Sequence, residues 1–297
     1  PCAHRASRRR LLMSHAPASL YGKLPRELDY QRINLHSQSA LALDAWLQAS
    51  NQALAAANAE WPHSRLRFLL TFQERSLVGA LAPSRDRAGR KFPLAVFREH
   101  VIPLQGELAL LSALTFLDKL DAALDELMTA SKDQARDILA QVAPLGSAQA
   151  AAGTLHTWLR ETRATEFARV LGPGKEPELR PTLRDLRQRT QIAGNAAPTF
   201  DLPLTREEDV LAWLALTATG SARPSALWSS QAEPPRLLLR FAAPSDRTLL
   251  WFSSRAARSP ALQRVGSQQY AADVLPAELC LLSLRDELRA SPQVHHP

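Results

Sequence analysis

Two short apolar segments lie so close together in the chain that they restrict the fold more than any other feature. Residues 65–72 (RLRFLLTF) and 75–81 (RSLVGAL) are separated only by Gln73 and Glu74. Apolar runs with so short a connection are typical of paired strands. A third strand is predicted over 92–97 (FPLAVF), where Pro93 stands near the start and its missing N–H does least harm. The sequence therefore predicts a sheet of neighbouring strands in this part of the chain.

Leucines at three- and four-residue steps predict helices over the next part of the chain. This spacing runs from Leu108 to Leu127. A helix is also predicted before it, from Ser37 to Glu60, and another after it, from the capping residue Ser131 through Val142. The alanine-rich stretch 146–171 is expected to be helical too. The prolines and glycines of 171–181 (LGPGKEPELRP) predict a linker or an exposed loop.

The C-terminal part contains both kinds of signal. A capping box, Thr205 to Glu208, precedes an apolar run and predicts a helix. The segments 236–242 and 247–252 flank APSD and are expected to form a second hairpin, followed by a helix over about 276–289. The order of elements predicts an α/β (α+β) fold. It has a central, mostly antiparallel sheet flanked by helices, with a helical section inserted between the sheet-forming halves.

The same pattern divides the chain into four sections. Residues 1–17 are expected to form a disordered arm, and the part before Met13 is consistent with a non-native extension. Residues 18–125 form an N-terminal region. Residues 126–220 form the helical section with its loop at 171–181. Residues 221–297 provide a C-terminal hairpin and helix that complete the fold.

Charge and hydropathy argue against two broad classes of function. The 297 residues carry a formal net charge of +7, but four arginines in the acid-free first twelve residues supply part of it, and subtracting them leaves +3. The arginine-rich segment 179–191 contains no aromatic residue on which a base could stack. It is expected to be an exposed helix or loop, with a docking stripe for an acidic protein as the alternative. No window approaches the roughly 18 apolar residues of a membrane span. We therefore expect no nucleic-acid binding, no membrane insertion and a cytoplasmic location.

Patterns typical of catalysis or metal binding are missing from the sequence. There is no G-x-S-x-G motif, and none of the eight histidines forms an H-x-x-x-H or H-E-x-x-H pair. The stretch 172–176 (GPGKE) lacks the rest of a phosphate loop. Cys280 is expected to pack as a small hydrophobe. The helical acids Asp118, Asp121 and Asp125 have the spacing of a solvated face. We expect no catalytic residue, no cofactor and no metal.

A basic segment ahead of the third strand, 82–97 (APSRDRAGRKFPLAVF), has three interpretations. It is a turn that shapes the fold, a partner-contacting surface, or a phosphate site. Asp86 or Ser84 can accept hydrogen bonds from backbone N–H groups of the loop, and Gly89 can adopt the left-handed conformation. The turn is the favoured interpretation, with docking as a second use. A docking surface would use Arg85, Arg87, Arg90 and Lys91.

Two blocks of residues with fixed spacing carry a resemblance to a known family. The first is YGKLP at 21–25, and the second comprises eight residues around the basic turn: Pro83, Ser84, Asp86, Gly89, Arg90, Phe92, Pro93 and Leu94. Together, and more loosely with RPSALWSS at 223–230, they resemble the TagF/ImpM family of bacterial type VI secretion over about residues 18–125. The family has a glycine before an Asp-aromatic pair, where this chain has Leu28. A turn with positive φ would be strained at a leucine.

The resemblance implies a non-catalytic cytoplasmic regulator that represses assembly or firing of the secretion system after translation. The implied partner is a forkhead-associated-domain scaffold protein or another component of that system. The alternatives are an uncharacterised hydrolase and a general adaptor protein. Candidate partner-binding residues are Tyr21, Lys23, Arg85, Arg87 and Lys91. Candidate structural residues of the motif are Gly22, Pro25, Asp29, Ser84, Asp86, Gly89, Arg90 and Pro93.

Overall fold

The structure is a computed structural model that describes most of the chain in eight stretches. They are residues 17–73, 75–100, 104–192, 196–218, 223–229, 234–253, 262–265 and 273–290. The arm predicted over 1–17 therefore lies, except for residue 17, outside the described residues.

Nine strands form one sheet in the described part of the chain. They are β1 (Ser19–Lys23), β2 (Tyr30–Ile33), β3 (Leu66–Phe72), β4 (Arg75–Ala82), β5 (Leu94–Glu99), β6 (Thr199–Pro203), β7 (Ser225–Ser229), β8 (Arg236–Arg240) and β9 (Leu262–Arg264). Their order across the sheet is β2-β1-β5-β4-β3-β7-β8-β6-β9. Every neighbouring pair is antiparallel except β6 and β9, which are parallel. The predicted mixed fold with a mostly antiparallel sheet is confirmed.

The helices occupy the connections between these strands, except α10, which follows β9. They are α1 (Gln38–Ala56), α2 (Gly106–Ser112), α3 (Leu114–Leu127), α4 (Lys132–Gln141), α5 (Ala148–Glu161), α6 (Ala164–Ala168), α7 (Leu179–Arg189), α8 (Asp209–Thr217), α9 (Thr248–Ser253) and α10 (Leu281–Ala290). Helices α2 to α7 lie between β5 and β6, so a helical section does separate two sheet-forming halves. No helix in the described stretches is both long and apolar enough to cross a membrane.

Alternating side chains of the strands separate two apolar cores. In β3, Phe68 and Leu70 pack with α1 and α9 on one face of the sheet. Leu69 of the same strand packs on the opposite face with the larger group of helices. This is the two-residue period of a strand, and because both faces are covered, β3 reads in sequence as an almost continuous apolar run.

The two halves of the sheet meet where β3 pairs with β7. Leu69 lies opposite Ala226, Phe68 opposite Leu227 and Arg67 opposite Trp228. Polar contacts reinforce this seam, since the carboxylate of Glu207 accepts hydrogen bonds from Arg67 Nη1 at 2.7 Å and Trp228 Nε1 at 2.9 Å. The halves therefore share one core on each face and form one continuous sheet.

Several local predictions are confirmed in position. Helix α1 begins after the N-cap Ser37, although it ends at Ala56 and not at Glu60. Ser131 caps α4 with a full capping box to Gln134. The long leucine-rich helix is divided at Ala113 into α2 and α3.

Other local predictions are wrong. Residues 248–253 form helix α9 and not a strand, and β8 pairs with β7 and β6 instead. A run as short as RTLLWF is compatible with either structure. The final helix starts at Leu281, later than predicted. The backbone N–H groups of Thr205 and Arg206, ahead of α8, donate to Asp209 Oδ2 at 2.8 and 3.0 Å. Asp209, and not the predicted Glu208, therefore accepts the capping hydrogen bonds. Strands β1, β2, β6, β7 and β9 were not predicted from the sequence.

If the sheet is one cooperative unit, a cavity at the seam will destabilise the whole protein. Leu227→Ala should lower the free energy of unfolding by about 2–5 kcal/mol. The control Leu41→Ala removes the same atoms from a leucine that is 55% exposed and should cost less than about 0.5 kcal/mol. Chemical denaturation followed by circular dichroism and tryptophan fluorescence measures both. Two separate transitions, of which only one moves in Leu227→Ala, would contradict a single cooperative sheet.

Candidate functional site

The basic loop connects β4 to β5 and is folded back on itself. Residues 85 and 91 form an antiparallel bridge. The N–H of Phe92 donates to the carbonyl of Ser84 at 3.2 Å, and the N–H of Asp86 donates to the carbonyl of Arg90 at 3.1 Å. The turn closes with a bond from the Gly89 N–H to the Asp86 carbonyl at 2.9 Å. The loop is thus a small, internally hydrogen-bonded hairpin.

The buried carboxylate of Asp86 holds this hairpin against the sheet. Its Oδ2 accepts hydrogen bonds from Lys23 Nζ at 2.8 Å and from Arg90 Nε at 2.7 Å. Its Oδ1 accepts the backbone N–H of Arg90 at 2.9 Å. Burial alone would raise the pKa of Asp86, but the hydrogen bonds from Lys23 and Arg90 together hold that pKa well below its usual range. The carboxylate is therefore ionised and fully engaged.

Two glycines permit the close approach of this loop to β1. Gly22 has φ +131°, and a Cβ there would lie 2.0 Å from the carbonyl oxygen of Pro93. Gly89 has φ +81° with open space around it. Gly22 is therefore required by contact as well as by conformation, whereas Gly89 is required by conformation alone.

A second loop, between β1 and β2, is bonded to the basic loop. The N–H of Arg87 donates to the carbonyl of Glu27 at 2.8 Å. Arg90 Nη2 donates to the carbonyl of Leu28 and lies 3.6 Å from the carboxylate of Asp29. The two loops therefore form one surface at this end of the sheet.

Aromatic rings pack beneath the two loops. Phe92 is buried and makes edge contacts with Tyr21, Tyr30 and Trp61 at centroid distances of 5.8, 4.8 and 5.6 Å. The buried hydroxyl of Tyr21 accepts a hydrogen bond from Gln48 Nε2 at 2.6 Å. Burial, followed by the neighbouring carboxylate of Asp44, raises the pKa of Tyr21 well above its ordinary value. These rings give the loops a fixed base.

The region that contains both loops matches one protein family. Residues 19–145 match the family model of the TagF N-terminal domain, which is type VI secretion system-associated. Residues 19–145 are therefore recognised as a TagF N-terminal domain. A crystal structure of PA0076 from Pseudomonas aeruginosa PAO1 is similar over 82% of this chain and 96% of that chain, with 18% identity and a TM-score of 0.47. A comparison with curated proteins found no match.

Within the matched region, four of the eight residues predicted as structural hold the basic loop or its approach to β1, whereas Asp29 is exposed. Gly22, Asp86, Gly89 and Arg90 have the contacts given above. Ser84 was one of two residues expected to accept backbone N–H groups of the loop. Its Oγ instead donates to the carbonyl of Lys23 at 2.7 Å and accepts no backbone N–H of the loop. Asp86 alone caps the turn. Leu28 does not have a positive φ, so its backbone is free of the strain that a leucine would have in that conformation.

The five predicted partner-binding residues fall into two groups. Tyr21 and Lys23 are 0% and 3% exposed, and the ammonium of Lys23 is committed to Asp86. We therefore leave both out of any docking surface. Arg85, Arg87 and Lys91 are exposed. Lys91 forms an ion pair with Glu60 at 3.1 Å, whereas the side chains of Arg85 and Arg87 form no hydrogen bond or ion pair with the described part of the chain.

Other sequence candidates lie away from this surface. Burial lowers the pKa of His100 to about 4, and Cys280 is partly exposed, with its Sγ 3.3 Å from Ser283 Oγ, so the prediction that it packs as a buried hydrophobe is wrong. Across the described stretches no three His, Cys, Asp or Glu side chains are grouped as metal ligands. His4, His15, His295 and His296 lie outside the described residues.

Segments 172–176 (GPGKE) and 179–191, which have glycine-lysine and arginine-rich sequences, form ion pairs and hydrogen bonds within the protein. Lys175 of GPGKE pairs with Glu178 at 3.7 Å. In α7, Arg180 donates to Asp273 at 2.8 Å, and Arg187 donates to the carbonyls of Leu216 and Ala218. These arginines fasten α7 to its neighbours.

Sequence reasoning missed three residues of the exposed surface. Arg26 is exposed beside the basic loop, and Leu28 and Tyr30 are 55% and 40% exposed. The available signal was weak: a leucine and a tyrosine stand in a short polar connection (PRELDYQR) that has no helical or strand period of its own.

The conformation of Gly89 predicts a specific stability effect. Gly89→Val should lower the free energy of unfolding by about 1–2 kcal/mol, because a β-branched residue is forced to positive φ. Gly89→Asn should cost less, since asparagine tolerates this region, and the neighbouring exposed Ala88→Val should cost less than about 0.5 kcal/mol. Urea denaturation ranks the three variants. An equal cost for valine at both positions would show that the left-handed conformation is not what matters.

The depressed pKa of Asp86 predicts how its contribution varies with pH. Because the pKa in the folded state lies below the unfolded value of about 3.9, the stabilisation is complete at neutral pH. It is lost as pH falls below about 4 toward the folded value. Asp86→Asn should therefore melt well below the wild type at pH 7, and the gap should narrow in acid. The exposed Asp118→Asn is the control and should show no such pattern in thermal melts. A gap that stays constant with pH would mean that the Asp86 charge does not stabilise the loop.

Proposed function

We propose that this protein is a non-catalytic regulator that represses assembly or firing of a type VI secretion system by binding one of its cytoplasmic components. The observation that carries the proposal is the TagF N-terminal domain at residues 19–145, which is associated with that system. Regulation by binding needs an exposed surface on a stable scaffold and no reactive group. The basic loop has these properties.

The geometry of the loop supports a binding role. Its backbone is fixed by internal hydrogen bonds and by Asp86, while the side chains of Arg85 and Arg87 point away and are exposed. Binding by a fixed surface avoids the entropy cost of ordering a loop. Exposed positive charge favours an acidic partner and speeds the encounter with it.

The proposed partner is the forkhead-associated-domain scaffold protein of the system or another of its components. We propose that the protein acts in the cytoplasm, without nucleic acid and without inserting into a membrane. A component of the secretion machine is a more fitting partner than nucleic acid, because the arginine-rich segment 179–191 contains no aromatic residue for base stacking and its Arg180 and Arg187 bond within the protein.

A hydrolase is the alternative function, with Ser84 as its nucleophile. This serine donates its proton to the carbonyl of Lys23, and its oxygen lies 3.8 Å from the sulfur of Met128. A nucleophilic serine instead needs a base that accepts this proton. The contacts of Ser84 therefore favour the binding role.

The proposal predicts a gain of secretion when the gene is deleted. In the native bacterium, deletion should raise the amount of secreted inner-tube protein several-fold, and the wild-type gene supplied in trans should lower it again. Purified full chain should bind a recombinant component of the system in biolayer interferometry. Binding to no component, with unchanged secretion, would exclude the regulatory role. Turnover of phosphoesters or acyl esters that is lost in Ser84→Ala would establish the hydrolase instead.

A further inference from the structure

The β1–β2 loop and the basic loop present their free side chains on one continuous surface. Arg26 precedes Glu27, whose carbonyl accepts the N–H of Arg87 at 2.8 Å. Leu28 follows, and its carbonyl accepts a hydrogen bond from Arg90. We define the two-loop surface as five exposed residues: Arg26 and Leu28 of the β1–β2 loop, Tyr30 at the start of β2, and Arg85 and Arg87 of the basic loop.

Two exposed arginines flank one buried acid. Arg85 lies at the antiparallel bridge to Lys91, and Arg87 lies in the turn that the hydrogen bond from the Gly89 N–H to the Asp86 carbonyl closes. Asp86 is directed inward to Lys23, whereas Arg85 and Arg87 are exposed. Neither they nor Arg26 has a side-chain partner within the described stretches, so three guanidinium groups are free to bind.

The apolar part of the two-loop surface lies beside these charges. Tyr30 is 40% exposed, yet its ring is held by Phe92 at 4.8 Å and by the Lys23 ammonium at 5.0 Å. Leu28 is 55% exposed. Tyrosine and arginine are enriched among the side chains that supply most of the binding energy of protein interfaces, and Leu28 adds exposed apolar area to them.

We infer that the two-loop surface docks an acidic patch of a protein partner, which places an apolar side chain against Leu28 and Tyr30. This inference rests on the proposed function and specifies where its partner binds. The arginines match carboxylates through charge-assisted hydrogen bonds, and the fixed loops bind with little loss of conformational freedom.

The border of the surface favours a protein over a nucleic acid. Two exposed carboxylates lie near this surface. Asp29, within the β1–β2 loop, is 3.6 Å from Arg90, and Glu60 is 3.1 Å from Lys91 of the basic loop. Acids placed there oppose a continuous phosphate backbone, whereas a protein interface commonly has mixed charges at its rim. The exposed leucine likewise contacts an apolar side chain better than a phosphate.

The test compares two kinds of variant of the full chain on the recombinant component that the wild type binds. Arg85→Glu/Arg87→Glu should weaken binding about tenfold or more at low salt, and less at high salt where charges are screened. Leu28→Ala should weaken it about fivefold at both salt concentrations. Melting temperatures should stay within about 2 °C of the wild type, since all three residues are exposed.

Matched controls separate this surface from general effects of charge and hydrophobicity. Arg160→Glu/Arg169→Glu reverses two exposed arginines elsewhere, and Leu41→Ala truncates a leucine with the same 55% exposure. Both should bind as the wild type does. Dissociation constants come from biolayer interferometry at about 0.05 M and about 0.5 M salt, where the Debye length differs about threefold.

The outcomes distinguish this inference from the function on which it rests. If the wild type binds no component, the proposed function fails and the inference with it. If the wild type binds and the two-loop variants bind equally well, the function stands and the surface is wrong. A loss of self-association in the variants, or a loss of binding to mixed-sequence RNA with the protein interaction intact, would also overturn it.

Discussion

The ion pair between Lys23 and Asp86 is the interaction on which the rest of the site depends. Both side chains are buried, and charges taken out of water persist only when each is compensated. Lys23 ends β1, and Asp86 lies in the loop between β4 and β5. The pair therefore fixes the basic loop against the end of β1. Removing Asp86 would leave the buried ammonium of Lys23 uncompensated, whereas removing Lys23 would leave Asp86 paired with Arg90 alone.

The sheet supplies the frame that makes this ion pair possible. Strand β1 is paired with β5 on one side and β2 on the other, and Gly22 lets the backbone of β1 approach Pro93 without a clash. The apolar faces of the sheet are buried in both cores, so the frame is rigid. The strand ends and the hydrogen bonds of the loop hold its backbone in place, while the side chains of Arg85 and Arg87 are exposed.

Much of this fold could be predicted from periodicity, and the failures have physical causes. The leucine spacing of α2 and α3 and the apolar runs of β3 and β4 are strong sequence signals, because each of these elements buries a continuous apolar surface. The stretch 247–252 was assigned to a strand because six apolar-rich residues satisfy either period, and only tertiary packing selects the helix. Strands β1, β2 and β6 are short and mix polar with apolar residues, so their pairing depends on partners distant in sequence. At the site, the turn residues Asp86 and Gly89 were identifiable, but the burial of Lys23 and the exposure of Leu28 were not.

The basic loop shows how a single acid can divide a run of basic residues into two roles. In the stretch RDRAGRK the sequence offers several cations and one carboxylate, and only the carboxylate can neutralise a cation inside the protein. Once Asp86 is turned inward, it selects Lys23 and Arg90 as its partners. The two arginines that flank it, Arg85 and Arg87, are left exposed. The same local geometry thus builds the fold and leaves two charges for recognition, so the turn and docking interpretations of this segment are two consequences of one buried acid.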